Sequence, residues 1–328
     1  SRVFSLFNRF SSTGPVIRAL PPSSRPRDQR QPVSLIKMML AVFKNKIQAV
    51  LDLIRFMKPY GTLLLLMPTL WSLVIAAEGV PSGKLLMIFI LGGFLMRSAG
   101  CVMNDIADRN FDGHVERTRG RPLPSGRLSV IEAAGIFSLL SIVAFGLVLQ
   151  LNRSAQLLSL VGLALAILYP FSKRIIHLPQ MVMGVAFGWG AIMAWVAVRD
   201  AFELPMIMIF LANLFWATAY DTIYALMDRE DDLKIGVKSS AILFGRQTGL
   251  AVGILFGFAS FFFVLLGLTA RLGPVYYLSI AAATGWFIMQ ARAIRHPLNR
   301  RSAFSLFKSN VGVGLLVLLG LVLNYHLF

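Results

Sequence analysis

The nine residues Asn104-Asp-Ile-Ala-Asp-Arg-Asn-Phe-Asp112 place four oxygen-bearing side chains, Asn104, Asp105, Asp108 and Asp112, at the end of an apolar run from Lys84 to Met103. That run is long enough to cross a bilayer, where an uncompensated charge costs roughly 2.5 to 3.5 kcal/mol near the centre and less toward the interface. Read as a helix, positions 105, 108 and 112 fall at i, i+3 and i+7, and position 104 lies four before 108. The spacing therefore predicts one face that carries all four groups. Carboxylates repel one another at that spacing unless a cation lies between them.

A second stretch, Tyr220-Asp-Thr-Ile-Tyr-Ala-Leu-Met-Asp-Arg-Glu-Asp-Asp232, follows another apolar span. Asp221, Asp228 and Asp232 fall at i, i+7 and i+11, again one helical stripe, with Asp231 beside it. A helix C-terminus disfavours carboxylates and favours cations, so both clusters are badly placed for stability and well placed for a metal. Two stripes on one membrane face predict one shared site. Hard oxygen donors, few in number, suit Mg²⁺ completing its octahedron with water and substrate phosphate. Basic residues near the same face, Arg55, Lys58, Arg121, Lys173, Arg174, Lys234 and Lys238, suit the phosphate oxygens that a metal leaves free.

The elements that position these groups follow from composition. With 56% hydrophobic and 14% charged residues among 328, the chain departs from soluble domains, which carry about 25% charged residues, and reads as an integral membrane protein. Its net charge of +17 does not imply nucleic acid, because 27 of the 32 lysines and arginines fall in residues 1–59, 104–129, 171–179, 228–246 and 292–309. These segments alternate with the others between nine predicted spans, at about 60–77, 84–103, 130–150, 155–170, 180–198, 205–227, 247–269, 274–291 and 310–327. The positive-inside rule then puts the N-terminus and both acidic stripes in the cytoplasm, or in the matrix of a mitochondrion.

Residues 1–37 are rich in Ser, Arg and Pro and read as a basic extension, either transit-like or upstream of a true start at Met38 or Met39. From Leu35 to Lys58, Lys37, Lys44, Gln48, Asp52 and Arg55 mark one polar stripe, so residues 38–59 read as an amphipathic helix on the membrane surface and residues 60–328 as the transmembrane domain. Gly184 and Gly188, and separately Gly92 and Gly93, predict close helix packing. The single cysteine, Cys101, reads as a buried apolar residue, and the four histidines lack the spacing of a zinc site. Tyr169 stands among several aromatics suited to line a pocket or stabilise a cation.

The stretch Gly100-Cys-Val-Met-Asn-Asp-Ile-Ala-Asp-Arg-Asn-Phe-Asp-Gly-His-Val-Glu-Arg-Thr-Arg-Gly-Arg-Pro-Leu-Pro-Ser-Gly126 resembles a signature of the UbiA-type intramembrane prenyltransferases. So does Tyr220-Asp-Thr-Ile-Tyr-Ala-Leu-Met-Asp-Arg-Glu-Asp-Asp-Leu-Lys-Ile-Gly-Val-Lys-Ser-Ser-Ala-Ile-Leu-Phe-Gly245. The resemblance runs from about residue 50 to the C-terminus, and its wording is most similar to the branch that prenylates 4-hydroxybenzoate. It implies an all-α polytopic bundle of about nine transmembrane helices around a cavity capped on the cytoplasmic side. It also implies Mg²⁺-diphosphate ligands at Asn104, Asp105, Asp108, Asp112, Asp228 and Asp232, of which Asp108, Asp112, Asp228 and Asp232 are the catalytic set. Arg55, Lys58, Lys173 and Arg174 match basic pocket positions, and Arg174 is the expected partner of the acceptor carboxylate. The implied partners are a polyprenyl diphosphate, 4-hydroxybenzoate and the lipid bilayer. The wording Leu-Met-Asp-Arg-Glu-Asp-Asp is closer to bacterial than to mitochondrial members, which favours a bacterial inner membrane.

Three other readings compete. An ion-coupled transporter places its carboxylates near the membrane midplane on interrupted helices, whereas these lie at span ends beside basic loops. The CDP-alcohol phosphotransferases need Asp-Gly followed closely by Ala-Arg, whereas Asp112-Gly113 continues as His114-Val115. A UbiA-type enzyme with a naphthoate or haem acceptor differs only in what the pocket accepts.

Overall fold

A computed structural model describes residues 35–294 and 298–327 of the chain; most of the expected basic extension therefore lies outside the described residues. Among those residues every regular element is helical. The helices are α1 (Leu35–Leu53), α2 (Tyr60–Ala76), α3 (Gly83–Asp108), α4 (Val130–Val148), α5 (Arg153–Ile175) and α6 (Pro179–Arg199). They continue with α7 (Leu204–Ala225), α8 (Arg229–Ile235), α9 (Ser240–Phe244), α10 (Thr248–Thr269), α11 (Pro274–Ala293) and α12 (Arg300–Leu327). Residues 42–328 form one compact unit, and the described part of residues 1–41 is the start of α1.

Each of the nine predicted spans corresponds to one long helix, and seven helical segments are long and apolar enough by themselves to cross a membrane. The α2 helix is shorter, at 17 residues. Starts are set locally: Ser82 accepts from the Leu85 amide, Asn152 from the Ala155 amide, and Ser129 and Glu132 form a reciprocal capping box. Proline at the first turns of α6, α7 and α11 removes an amide that would have no partner there.

Several boundaries differ from the apolar runs. The α5 helix continues through Pro170 to Ile175, and α12 begins at Arg300, about ten residues before its apolar stretch. Hydropathy marks where lipid ends, and a helix can run on into water with charged residues on its exposed turns. Conversely, α1 stops at Leu53 rather than near Lys58, because Arg55 turns left-handed at φ 59°. From there its guanidinium donates to the Asp52 carbonyl at 2.7 Å. Two ion pairs tie the second half of α1 to the segment entering α4: Lys46 to Glu132 at 2.6 Å and Arg127 to Asp52 at 2.7 Å.

The α7 helix is the hub of the bundle, with 72% of its spanning window buried, against 11% for α4 and for α5. It packs on α6, α10 and α12, and α12 returns to α2. Polar bonds fix these contacts where water is absent: Trp71 Nε1 donates to the Gly314 carbonyl at 3.1 Å, and Trp216 Nε1 to Asn310 Oδ1 at 3.0 Å. Asn310 Nδ2 in turn donates to Gln290 Oε1 at 2.9 Å, joining α7, α12 and α11. The α6 glycines make the expected close approach. A Cβ on Gly184 would lie 2.9 Å from the Leu214 carbonyl oxygen, and one on Gly188 2.9 Å from Asn213 Nδ2. Gly93 is similarly closed by Leu66, whereas a Cβ on Gly92 would meet nothing within 4 Å, so close packing explains only one of that pair.

Replacing Gly184 by Val should destabilise the detergent-solubilised protein by about 1–3 kcal/mol, through overpacking against α7. Gly257→Val, where a Cβ meets nothing within 4 Å, is the matched control. Thermal unfolding followed by fluorescence should show a lowered midpoint for the first variant relative to the second.

Candidate active site

The α3 helix carries Asn104, Asp105 and Asp108 on its final turns and ends at Asp108; Asp112 opens a separate 3₁₀ turn, Asp112–His114. The expected single helical face is therefore broken after Asp108. The chain folds back there, with the Phe111 amide donating to the Asp108 carbonyl at 2.8 Å. Asp105 is fully buried, and its Oδ1 accepts from Arg55 Nη2 at 2.6 Å and Arg121 Nη1 at 3.0 Å. Arg121 Nη1 also donates to Asp112 Oδ2 at 2.8 Å. Asp108 Oδ2 accepts from Asn104 Nδ2 at 3.1 Å and pairs with Lys173 on α5.

The second stripe is broken in the same way. The α7 helix ends at Ala225, and Asp228 sits at the N-cap of the short helix α8. Arg117, in the loop after the first stretch, donates from Nε to both Asp228 oxygens, at 2.9 and 3.1 Å, and from Nη2 to Oδ2. Its Nη1 reaches the Tyr224 hydroxyl at 2.9 Å. Arg300, at the start of α12, links Asp231 at 2.9 Å with Glu116 at 3.4 Å. Two arginines, Arg117 and Arg300, rather than direct contact between carboxylates, thus join the two acidic loops.

Both loops open on one cavity of about 980 Å³. Its walls include Asn104, Asp108, Asp112, Asp228 and Asp232, together with Arg55, Lys58, Arg121, Lys173 and Tyr169. Asp105 stands behind the wall, held by its two arginines. Arg174 is not part of the wall: it is exposed, donates to the Ala107 carbonyl, and lies over the rings of Phe111 and Phe171 at 5.2 and 5.3 Å. Asp221, the first member of the second stripe, is in the wall too, and six further charged residues line the cavity without having been singled out for it: Asp52, Arg97, Arg117, Arg127, Arg300 and Arg301. Arg97 had a signal in the sequence, a cation in the middle of an apolar span, which marks a functional position by its cost. Arg117 did not stand out, because the positive-inside pattern accounts for any arginine in that loop.

Among the described residues, ten cationic side chains and six aspartates line the cavity, an excess that favours an anionic occupant. Crowding is felt on both sides. Burial, and then the Asp228 carboxylate, push Asp232 up to about 7. Burial, and then Asp108 and Asp105, raise Asp112 above the usual carboxylate range against the opposing pull of Arg121. Burial together with Arg55, Arg117 and Arg121 lowers Lys58.

The donor set fits a shared metal better than a caged one. Among the described residues, no three His, Cys, Asp or Glu side chains converge closely enough to hold a metal ion by themselves. Yet Asp108 Oδ1 is buried without a hydrogen-bond partner, at the cavity wall. An orphan carboxylate oxygen wants a cation, and Mg²⁺ held by one or two carboxylates plus phosphate oxygens and water matches such an incomplete protein shell.

A second, apolar cavity of about 170 Å³ adjoins the first, and Arg97, Tyr169 and Phe187 belong to the walls of both. A polar chamber for an anion thus continues into an apolar one at these three side chains.

The UbiA prenyltransferase family model matches residues 65–312. A 4-hydroxybenzoate octaprenyltransferase of Serratia proteamaculans is 50% identical over 286 residues, 87% of this chain and 98% of that protein. Among solved structures, an apo UbiA homolog from Aeropyrum pernix K1 superposes with a TM-score of 0.70 at 25% identity, covering 80% of this chain and 97% of that one. A UbiA homolog from Archaeoglobus fulgidus bound to GPP and Mg²⁺ gives a TM-score of 0.62 at 17% identity, over 85% of this chain and 100% of the other. With two acidic loops around one cavity in an all-helical membrane bundle, this chain belongs to the UbiA prenyltransferase family.

Proposed function

We propose that this protein transfers a polyprenyl group from polyprenyl diphosphate to the ring carbon ortho to the hydroxyl of 4-hydroxybenzoate, a membrane step of ubiquinone biosynthesis. The observation that carries the reading is the single cavity shared by Asp108, Asp228 and an excess of cations. The 50% identity to a 4-hydroxybenzoate octaprenyltransferase supports both the acceptor and an octaprenyl donor.

Asn104, Asp108, Asp112, Asp228 and Asp232 would hold Mg²⁺ against the diphosphate. When bound, the metal neutralises charge that builds on the leaving group as the allylic carbon–oxygen bond breaks. Lys173, Arg117 and Arg121, now paired with aspartates, and Arg55 and Lys58 beside them, supply further positive charge to the same oxygens. Asp105 acts by holding Arg55 and Arg121 in position. The bond breaks where the polar chamber meets the apolar one. There Tyr169 and Phe187 line the junction, with the Arg97 guanidinium 5.7 Å from the centre of the Phe187 ring, and the surrounding helices keep water from quenching the developing allylic cation. The phenol ring attacks through the carbon ortho to its hydroxyl, then loses a proton to regain aromaticity. The cavity's surplus cations also suit the acceptor carboxylate, a role that Arg174 does not reach from its position on Phe111 and Phe171. The bacterial source of the relatives supports an inner-membrane location, and the basic loops support the N-terminus and the acidic loops facing the cytoplasm.

The direct test is transfer from octaprenyl diphosphate to labelled 4-hydroxybenzoate in purified, folded protein, with Mg²⁺ and with Mg²⁺ chelated. A lipophilic labelled product only in the first case supports the reading, whereas no product in either excludes this acceptor. Asp108→Asn and Asp228→Asn should each lower turnover on the order of 100-fold or more while leaving the protein folded in the membrane. Near-normal rates at saturating Mg²⁺ in either variant would contradict the assignment. Arg117→Gln should raise the KM for the prenyl diphosphate about tenfold, the worth of one charge-assisted contact, and leave that for 4-hydroxybenzoate unchanged.

A further inference from the structure

The proposed reaction ends with loss of a proton from the ring carbon that has taken the prenyl group, and that proton needs an acceptor. Arg117 spans the Tyr224 hydroxyl and Asp228, which fixes the level of the second acidic loop against α7. Asp221 stands three residues before Tyr224 on the same face of α7, one turn or about 5 Å deeper in the cavity wall. Asp108, Asp112 and Asp228 each hold a cation. Among the described residues, Asp221 makes no hydrogen bond or ion pair: Arg97 and Arg117 act on it at a distance, neither within ion-pair range. A carboxylate left bare inside a span marks a functional position by its cost. Other polar groups at this depth are also left for an occupant. The Tyr220 side chain is 1% exposed, and its hydroxyl is buried without a partner in the same wall. Arg97, among the described residues, has only Cys101 Sγ, at 2.9 Å, as a hydrogen-bond partner.

We propose that Asp221 is the general base of the transfer, taking the proton from the acceptor ring once the new carbon–carbon bond has formed. The inference rests on the reading of the acceptor as 4-hydroxybenzoate. In this step the ring carbon–hydrogen bond breaks, its electron pair restores the aromatic ring, and the proton bonds to a carboxylate oxygen of Asp221. Water that refills the chamber as diphosphate leaves then takes the proton on. A ring cation of this kind is a strong acid, so a carboxylate is base enough. Stereochemistry supports the side from which Asp221 acts. The departing proton lies on the ring face opposite the new bond, so its base must stand across the acceptor from the allylic carbon. That carbon arises at the junction made by Arg97, Tyr169 and Phe187, on α3, α5 and α6, and the walls of the apolar chamber come from residues between 65 and 193. Asp221 comes from α7 and lines the polar chamber alone. Position also separates it from a metal ligand. It precedes Asp228 by seven residues with the end of α7 between them, and among the described residues no three acidic side chains converge.

The test compares wild type with Asp221→Asn, Asp221→Ala and Asp221→Glu, each checked for a monodisperse folded state in detergent. Rates are measured with 4-hydroxybenzoate and with its form deuterated at both carbons ortho to the hydroxyl. Asp221→Asn should lower kcat about 100-fold, the usual worth of a general base, and keep the KM of both substrates within about twofold. Its ring-deuterium effect should exceed that of the wild type, because proton loss becomes the slow step. Formate, a small carboxylate, should restore turnover to Asp221→Ala and not to wild type or Asp221→Asn. Bound Mn²⁺ in the presence of an uncleavable prenyl thiodiphosphate should be as in wild type. Asp221→Glu keeps a carboxylate and covers the case in which the uncharged variants do not fold: moved by one carbon, it should lose about tenfold in kcat with an enlarged ring-deuterium effect. A folded variant that turns over like wild type, a lowered kcat with an unchanged isotope effect, or loss of the Mn²⁺ signal would each overturn the assignment. No product from the wild type is a different result: it removes the acceptor itself, and this inference with it.

Discussion

The site depends on one buried arrangement, the Asp105 carboxylate held between the guanidinium groups of Arg55 and Arg121 with no exposure to solvent. Breaking a buried ion pair by removing one partner costs on the order of 3–5 kcal/mol, because a charge is left uncompensated. Through Arg55 this carboxylate fixes the left-handed turn that ends α1, and through Arg121 it fixes the loop that delivers Asp112. The same loop carries Arg117 across to Asp228, so the second acidic loop is positioned indirectly by the first. A carboxylate behind the wall thereby determines where those at the wall stand.

The electrostatics follow from placing these groups at the end of a lipid-facing bundle. Each aspartate at the wall is expensive alone, and in this structure cations offset the cost: Lys173 on Asp108, Arg121 on Asp112, Arg117 on Asp228. On the proposed function, an arriving metal-bound diphosphate would offer the aspartates a metal and the cations an anion. Old pairs would then be exchanged for new ones without leaving a charge bare, so that a site this highly charged would stay stable before and after loading.

The sequence made much of this legible, for physical reasons that can be named. Long apolar runs fix helices because lipid leaves the backbone no other partner, so each predicted span became one helix. Charges that no bilayer tolerates unaided pointed to Asp108, Asp112, Asp228 and Asp232. Spacing was less informative at the edges: helical periodicity placed Asp108 and Asp112 on one face, but α3 ends between them, and only the fold-back of the loop returns both to one cavity. Arg117 and Arg300 were hidden because a membrane-side arginine that orders the topology looks identical, in sequence, to one that grips a carboxylate. Arg174 shows the converse, a basic residue in a conspicuous position whose side chain lies on two aromatic rings outside the cavity.

The central claim is that both acidic loops hold one metal-bound diphosphate. Its most direct test is the electron paramagnetic resonance spectrum of Mn²⁺ added to purified protein with an uncleavable prenyl thiodiphosphate. The account predicts a bound-Mn²⁺ signal that requires the analogue and is lost in Asp108→Asn and in Asp228→Asn alike. A signal that survives in either variant at wild-type strength would mean that the two loops do not share the metal, and would contradict it.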